Sequence, residues 1–458
     1  MSREKKLEQM FDRNDVYPWP WLFADEVLAK RYGLTLVEEY RDGHIYHYTD
    51  IGKLEAVSYP ILNRALSDSK YYPAVSRSLR AHSRILLSFS KLCGKKRHEF
   101  LNDKELVNDV VKYVRLLKKL REWGWIPVLI EGVTTPIASA KAMEMLRSDL
   151  PGREESALNQ IFSTLTTPDS ASTVQKSRTE MYHLASALGN RLSGFLRAKN
   201  SDAYIDALPT ALRRSVRTYL STFAWATFNY EGPTLNASLL QKSLKGMTGA
   251  RARAELSAIE KRASETSKKK NGLLKDLPLS RETRRLLSLL AESMLMKDYR
   301  KSVYQQSYTQ MEPHLAEIAR RVGIRVDECK FLSLEEMQLA LANPSKYRAL
   351  ARKRRMQCVV LVTPKKTQWY TGLEAKKILK QMVFEKTAVA ETTLHGQVAY
   401  PGTAKGIVRL VFTVKDISKM KKGDILVSSA TNPDLLPAMK ISGAIVTDVG
   451  GIISHAAI

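Results

Sequence analysis

Cysteine is scarce in this chain of 458 residues. The three cysteines, Cys93, Cys329 and Cys358, are far apart, and none belongs to a CxxC pair. A disulfide framework needs paired cysteines and a thiolate zinc site needs clustered ones, so neither is expected. Unpaired cysteines are typical of a reducing compartment, and we therefore expect a cytoplasmic protein.

Long apolar runs are also missing. The first ten residues are charged from Arg3 to Glu8 with no apolar core behind them, and no stretch approaches the ~18 uninterrupted apolar residues of a membrane span. We therefore expect neither secretion nor a membrane partner. Hydrophobic residues make up 44% of the chain and charged residues 26%, as in ordinary globular domains. At about 150 residues per domain, the length predicts about three domains.

Positive charge, in contrast, is in large excess. The chain has 73 Lys and Arg against 47 Asp and Glu, a net charge of +26, which attracts polyanions and phosphorylated ligands. Residues 391–458 carry only +2 of this charge. The stretch Lys242–Lys275 predicts an exposed basic helix, which either binds polyanions or is simply solvated. Its candidate phosphate contacts are Arg251, Arg253, Lys261, Arg262, Lys268, Lys269 and Lys270.

The first part of the chain, residues 1–75, is predicted to be a cap with a β-hairpin. The segment Tyr17–Phe23 is expected to be irregular, because each of its prolines removes an amide donor and restricts its neighbour. Two strands within Leu34–Tyr48 are predicted to meet at Asp42-Gly43, a dipeptide typical of tight hairpin turns. Helical periodicity is expected from about Ala74 onward.

Residues 76–325 are predicted to form an α-helical domain. Between Leu101 and Leu120, apolar residues recur every three or four positions, as on one face of an amphipathic helix. The same pattern predicts helices at Val174–Leu196, Pro209–Thr227, Glu255–Ser267, Arg281–Tyr299 and Val303–Val322.

Residues 326–390 are predicted to be a mixed α/β connector. Ser333 begins a Ser-x-x-Glu capping box, which indicates a helix start. Further on, Val359–Val362 and Gln368–Tyr370 predict a hairpin, and Leu373–Phe384 predicts a helix.

The last module, residues 391–458, is predicted to be rich in strands. The predicted strands are Gly396–Tyr400, Gly406–Phe412, Asp424–Ser428 and a buried one at Ala444–Thr447. The overall expectation is a multidomain α+β protein whose N-terminal and central regions are mostly helical and whose C-terminal module is α/β.

The segment Ile445–Ile458 carries the strongest local signal for a functional site. A predicted strand runs into the Gly450-Gly451 turn, and small, helix-compatible residues follow, which places His455 close to a helix N-terminus. The amides there can bind an anion, and the imidazole can accept a phosphoryl group. Ser454 can cap the helix or hydrogen-bond a phosphoryl oxygen. A single histidine in a loop is, however, also compatible with a purely structural role.

Four sequence blocks resemble, in order and spacing, the swivelling phosphohistidine domain of the phosphoenolpyruvate-utilising enzymes. The blocks are Gly396–Gly406, Lys422–Val427, Thr431–Met439 and Ile445–Ile458. A weaker resemblance to the helical region of synthase-like members covers roughly residues 160–390. The likeness implies a C-terminal swivelling domain that is incomplete here, because the chain ends at Ile458 in the first turn of the expected helix.

The resemblance also implies roles for individual residues. His455 would be the phosphorylated residue, with Gly450, Gly451 and Ser454 holding the phosphate and Asp448 orienting the loop. Departures from the family pattern are Val449, where many members have Glu, and Ile453, where many have Thr.

The implied function is a phosphotransferase of the dikinase type, in which a mobile domain carries a phosphoryl group between distant active sites. Neither the phosphate loop and metal-binding carboxylates of an ATP-grasp domain nor a P-loop is recognisable, so we expect this chain to bind no cofactor itself. Mg and ATP, or phosphoenolpyruvate, are then expected on a partner, an ATP-grasp or phosphoenolpyruvate-binding protein that donates the phosphoryl group. The acceptor stays open. The alternative is a non-catalytic regulatory protein with a degenerate swivelling domain, whose basic helices bind RNA or another polyanion.

Other candidate sites have weaker support, and no metal site is predicted. Cys93 and His98 lack a third ligand, so they are interpreted as surface residues. On a strand, His44 and His47 would point to opposite faces and are interpreted as structural. Four tryptophans are interpreted as core or cap residues rather than base-stacking platforms: Trp19, Trp21, Trp123 and Trp125.

Overall fold

The computed structural model shows a mostly helical chain with two small sheets. It describes residues 7–14, 17–41, 43–228, 232–383, 402–412, 414–428, 435–447 and 456. Within them, the helices are α1 (Trp19–Tyr32), α2 (Ile51–Ser67), α3 (Tyr71–Gly94), α4 (Asp103–Gly124), α5 (Ile126–Glu131), α6 (Ile137–Asp149), α7 (Glu155–Thr166), α8 (Thr173–Leu188), α9 (Arg191–Arg197), α10 (Ser201–Asp206), α11 (Thr210–Thr222), α12 (Ala237–Ser243), α13 (Gly249–Asp276), α14 (Arg281–Val322), α15 (Val326–Cys329), α16 (Leu334–Ala342), α17 (Pro344–Met356), α18 (Gly372–Met382) and α19 (Leu436–Ile441). The strands are β1 (Glu8–Asn14), β2 (Leu36–Arg41), β3 (His44–Thr49), β4 (Gln357–Val362), β5 (Thr367–Tyr370), β6 (Val408–Leu410), β7 (Ile425–Ser428) and β8 (Ala444–Thr447).

The larger sheet joins strands from distant parts of the chain. Its order is β1-β3-β2-β4-β5, and every neighbouring pair is antiparallel. The predicted hairpins β2–β3 and β4–β5 are both confirmed, and β2 pairs with β4 so that Glu38 lies opposite Val360. The sheet therefore unites the N-terminal hairpin with the hairpin that follows α17.

The 42-residue helix α14 is the centre of the helical region. It packs against α3, α4, α5, α6 and α7, and buries apolar residues such as Leu286 and Ile318 completely. A hydrogen bond also crosses this interface, since the Tyr113 hydroxyl lies 2.9 Å from Ser307 Oγ. Where the sequence predicted two helices, at Arg281–Tyr299 and Val303–Val322, the structure has one, because no breaker separates them and the apolar face runs on.

Helix α1 contradicts the expectation of an irregular Tyr17–Phe23 segment. The helix begins at Trp19, with Pro20 in its first turn. The expectation was wrong because an amide in the first turn has no intrahelical acceptor, so a proline there removes no bond, and its φ suits a helix. The indole of Trp19 is buried, and its Nε1 donates to the Leu332 carbonyl at 3.0 Å.

Three other boundaries differ from the predictions. After the N-terminal hairpin, helical structure resumes with α2 at Ile51 rather than near Ala74. The predicted Val174–Leu196 helix is split into α8 and α9, because Gly189 adopts φ 53° and ends α8. The predicted Glu255–Ser267 helix is longer, since α13 begins where the Thr248 side chain accepts a hydrogen bond from Arg251 N.

Two local predictions are confirmed by their capping geometry. Helix α16 follows Ser333, whose side chain accepts from Glu336 N while the Glu336 carboxylate accepts from Ser333 N. Helix α4, predicted from its apolar period, begins with a similar box at Asn102 and buries its apolar residues against α1, α3 and α14.

The C-terminal module contains the second sheet, a parallel one of order β6-β7-β8. Its small core consists of Val411, Met420, Leu426, Leu435 and Ala438. The predicted strands around residues 408–410, 425–428 and 444–447 are confirmed, whereas the predicted strand Gly396–Tyr400 lies outside the described residues.

No helix among the described residues combines the length and the apolar character that crossing a membrane would require.

Candidate functional site

The residues of the predicted phosphohistidine site lie outside the described residues. This applies to all five of them: Asp448, Gly450, Gly451, Ser454 and His455. The structure does describe the scaffold up to Thr447, the last residue of β8.

The scaffold is a parallel sheet whose strands end at the same edge. Because β7 and β8 are parallel, their carboxyl ends, Ser428 and Thr447, lie opposite each other. Segments that follow parallel strands start at this edge, which is where open α/β sheets bind their ligands. The chain from Asp448 onward therefore starts at the edge that suits a ligand site.

Three glycines allow the strands to approach closely at the opposite edge. Gly423 has φ 89°, a conformation that favours glycine, and its N–H donates to the Ile441 carbonyl at 2.8 Å. A Cβ on Gly443 would lie 2.7 Å from the Gly423 carbonyl oxygen, and a Cβ on Gly406 would also collide with that oxygen. The positive φ of Gly423 accounts for the glycine in the sequence block Lys422–Val427, and the crowding accounts for Gly406 and Gly443.

The carboxylate of Asp424 fixes the turn before β7. It accepts from Lys421 N at 2.9 Å and from Arg409 Nε at 3.1 Å. The hydrogen bond from the Lys421 backbone has the largest effect on the pKa of Asp424. Together with the bond from Arg409, it lowers this pKa below its usual range. Its role is therefore structural, at the edge away from the predicted phosphate site.

One prediction for this module was wrong. The strand Ala444–Thr447 was expected to be buried, yet Val446 is 49% exposed and its neighbours are only partly covered by the described residues. A short run of β-branched residues indicates a strand but does not tell which of its faces is covered.

Two groups of potential metal ligands, which the sequence did not connect, converge in the helical region and the larger sheet. The first contains Cys93, Asp109 and His314. Interpreting Cys93 as a surface residue was wrong, because it is fully buried under α14, and burial raises the pKa of its thiol to about 11. Asp109 is already engaged by Lys96 and His314, so this group forms a hydrogen-bonded network that ties α4 to α14.

The second group is Asp25, Glu38 and His47, with one ligand atom of each lying within 4.8 Å of the others. Asp25 is on α1, Glu38 on β2 and His47 on β3, and all three are essentially inaccessible to solvent. Burial has the largest effect on the pKa of Glu38, and the nearby Asp25 carboxylate has the next largest. Both raise this pKa, which lies well above its usual range. Sequence reasoning missed this group because it compared His47 only with His44; the alternation it used was correct, since His47 is buried and His44 only partly so.

The predicted basic helix exists as the C-terminal part of the stretch Lys242–Lys275. Helix α13 buries only Ala252 fully, and Lys268 and Lys269 are exposed. Lys270 differs, because its Nζ donates to the Thr167 carbonyl at 2.9 Å and to Asp169 at 2.7 Å. Lys270 therefore anchors α13 and is not a candidate phosphate contact, contrary to the sequence prediction.

The tryptophans were correctly assigned to the core. Trp19 and Trp125 are buried, and Trp21 and Trp123 pack partly buried against the same cluster.

Comparison with known proteins identifies the C-terminal module. Residues 420–458 match the family model described as "PEP-utilising enzyme, mobile domain". The resemblance to the phosphoenolpyruvate-utilising enzymes is thus confirmed for residues 420–458, which are similar to their mobile domain.

Proteins similar to this chain include archaeal phosphoenolpyruvate synthases and probable ones. The phosphoenolpyruvate synthase of Pyrococcus furiosus is 53% identical over 74 residues, 16% of this chain and 9% of that protein. The probable phosphoenolpyruvate synthase of Archaeoglobus fulgidus is 49% identical over 83 residues, 18% of this chain and 11% of that protein. The phosphoenolpyruvate synthase of Aeropyrum pernix is 33% identical over 159 residues, 32% of this chain and 19% of that protein. The chain spans about a tenth to a fifth of the length of these relatives.

Proposed function

We propose that this chain is a phosphotransferase-type protein that carries a phosphoryl group on His455. The observation that carries the proposal is the family match over residues 420–458, which includes the whole Gly450–Ile458 motif. The likeness to proteins named phosphoenolpyruvate synthase supports the same chemistry. The proposal concerns this chain's role in transfer; the complete reaction requires a donor and an acceptor.

The chemistry follows from the residue types in the motif. A neutral ring nitrogen of His455 attacks the phosphorus, a P–N bond forms, and the P–O bond to the donor's leaving group breaks. Backbone amides of the predicted Gly-Gly turn and helix start would stabilise the phosphoryl oxygens, with Ser454 as a further donor. Asp448 would orient the loop that carries them.

The donor is proposed to bind elsewhere. In the reaction, Mg-ATP or phosphoenolpyruvate would be held by an ATP-grasp or phosphoenolpyruvate-binding partner, and the mobile domain would reach that site. The small residues that follow the histidine support this, since Ala456 and Ala457 would leave the approach to His455 open to a second active site.

Labelling tests the proposal directly. The protein is incubated with radiolabelled phosphoenolpyruvate, or with Mg-ATP labelled in its β-phosphate, and a phosphoenolpyruvate synthase as donor enzyme. We expect one label that is lost in mild acid and kept in base, as a phosphoramidate would be. His455→Ala should abolish the label, and His395→Ala, a control in the same module, should retain it. Acid-stable label, or label that persists in His455→Ala, would refute the carrier role.

A second function, polyanion binding, rests on the exposed basic residues of α13. Binding through phosphates releases counterions, so the affinity for RNA should fall steeply as salt increases. Replacing Lys268 and Lys269 by Ala should weaken binding and reduce the salt dependence. Binding that is unchanged by this double replacement would leave α13 as an ordinary solvated helix.

A further inference from the structure

Three ionisable side chains meet inside the protein where helix α1 crosses the larger sheet. Asp25, Glu38 and His47 are 1%, 0% and 0% exposed, and His47 Nδ1 lies 3.2 Å from Asp25 Oδ2. They come from three elements, α1, β2 and β3, so their convergence is a product of the tertiary fold.

Among the described residues, His47 is the basic side chain that pairs with these two carboxyl groups, through Asp25. None of their ion pairs in the described residues involves a Lys or Arg; Lys118 is paired with Glu26, the residue next to Asp25. Glu38 Oε2 accepts from the Tyr40 hydroxyl at 2.7 Å, whereas Glu38 Oε1 accepts no hydrogen bond from the described residues. Burying two adjacent carboxylates with one histidine beside them is expensive, and either a proton or a metal ion between them would offset this cost.

We propose that Asp25, Glu38 and His47 bind a divalent transition-metal ion. A metal held at about 2.0–2.2 Å by each ligand allows two ligand atoms to be up to about 4.4 Å apart. The three ligand atoms already lie within 4.8 Å of one another, so small side-chain movements suffice. The arrangement thus needs no change in the backbone.

The donor set narrows the class of ion. One imidazole nitrogen with two carboxylate oxygens suits Zn²⁺, Mn²⁺ or Fe²⁺. Ca²⁺ needs six to eight oxygen ligands, more than this group offers. Cu⁺ prefers thiolate ligands, and this group contains no cysteine.

Neighbouring side chains are placed to orient the ligands. The Tyr40 hydroxyl holds one oxygen of Glu38, and the Trp21 indole meets the His47 ring edge-on, with centroids 5.4 Å apart. Such outer contacts fix ligand orientation in metal sites. Because the site is buried and joins α1 to β2 and β3, the ion would cross-link the helix to the sheet rather than meet a substrate.

Metal content tests the proposal on the full chain. The protein is stripped with a chelator, incubated with Zn²⁺ or with Mn²⁺, desalted and analysed by mass spectrometry of the metal. We expect about one equivalent of bound ion per chain and a higher melting temperature than for the stripped protein. Wild-type protein that retains no ion and shows no rise in melting temperature with either metal would overturn the proposal and leave a protonated, hydrogen-bonded cluster.

Matched variants assign the ion to these residues. Glu38→Gln and His47→Gln should each lose the bound ion and the metal-dependent rise in melting temperature. Glu39→Gln is the control, because Glu39 is a buried carboxylate on the same strand that faces the other side of the sheet and accepts from Tyr48. If either variant fails to fold, the metal content of the wild-type protein decides whether the proposal holds. Equal metal retention by Glu38→Gln and Glu39→Gln would also overturn the assignment.

Discussion

His314 on α14 lies 2.9 Å from Asp109 on α4, measured from Nε2 to Oδ2. The other ring nitrogen of His314 lies 2.9 Å from Nε2 of His98, and Lys96 donates to the same Asp109 carboxylate. His314 thus donates to Asp109 while its Nδ1 can accept from His98. A neutral His314 satisfies both contacts, which links the packing of two core helices to a protonation state.

The network predicts that stability falls in acid. Burial lowers the pKa of His314 below its usual 6.5. Just below pH 6.5, His314 therefore binds a proton more readily in the unfolded chain than in the folded one. Burial of Asp109 would raise its pKa, but hydrogen bonds from Lys96 and His314 outweigh this and lower it. Both groups stabilise the folded state above their ordinary pKa values. As the pH falls, the free energy of unfolding begins to decrease near pH 6.5 because of His314, and it decreases further at lower pH because of Asp109.

Urea unfolding between pH 7 and pH 5 measures this dependence. In wild type, the free energy of unfolding should decrease over this range, and His314→Gln should flatten the curve because the titrating ring is gone. His183→Gln, at an exposed histidine, should keep the wild-type slope. An unchanged slope in His314→Gln would contradict the assigned role.

Local signals in the sequence predicted the local structure well. The Asp42-Gly43 dipeptide, the capping box at Ser333 and the apolar period of α4 each determine a few neighbouring residues, and the structure has the elements that they indicate. Helix α1 was missed because a proline in the first turn and a proline in the interior look alike until the helix start is known.

Long-range convergence could not be predicted in this way. Glu38 and Val360 are more than three hundred positions apart in the chain but are paired in the sheet. The same holds for Asp25, Glu38 and His47, since neither spacing nor periodicity connects a helix residue with two strand residues. For the phosphohistidine motif the reverse applies: the sequence block is specific, while Asp448 to His455 lie outside the described residues, so His455 stays a prediction.

Arg354 is expected to be a major stabilising residue of the connector. Its guanidinium is buried, donates to both carboxylate oxygens of Glu336 and to the Phe331 carbonyl, and lies 4.5 Å from the Trp369 ring centroid. Arg354→Met leaves the Glu336 carboxylate without its cation, which should cost about 3–5 kcal/mol of unfolding free energy.

The neighbouring arginine provides the control. Arg355 pairs with Asp327 at 2.8 Å, but the side chains are 43% and 31% exposed, so solvent screens this pair more than the buried one. Arg355→Met should therefore change the unfolding free energy by about 0–1 kcal/mol. Urea titrations measure both variants. If Arg354→Met and Arg355→Met lose the same free energy of unfolding, the burial of Arg354 does not add to its contribution.

Lys270 should contribute to stability, unlike the lysines beside it. Lys270→Met removes the hydrogen bond to the Thr167 carbonyl and should cost about 1 kcal/mol, with the exposed Asp169 adding little. Lys269→Met, at an exposed position, should stay within about 0.5 kcal/mol of wild type. Thermal unfolding compares the two, and a larger loss for Lys269→Met would argue against Lys270 as the anchor of α13.

The last prediction concerns the close approach of Gly443 to Gly423. Gly443 N donates to the Asp424 carbonyl at 2.8 Å, and a Cβ at Gly443 would lie 2.7 Å from the Gly423 carbonyl oxygen. Because that obstacle is backbone, Gly443→Ala must shift β8 relative to β7, at a cost of about 1–3 kcal/mol. Gly402→Ala is the matched control in the same module, since nothing lies within 4 Å of its added methyl group.

Hydrogen exchange measured by mass spectrometry can localise this effect. Amides of β7 and β8 should exchange faster in Gly443→Ala than in wild type, while those of α14 should be unchanged and Gly402→Ala should match wild type throughout. If His455 is the carrier, Gly443→Ala should also reduce its labelling, because the segment with Asp448 starts directly after β8. Unchanged protection of β7 and β8 in Gly443→Ala would mean that the strands tolerate the methyl group, and the close approach would then have no bearing on the site.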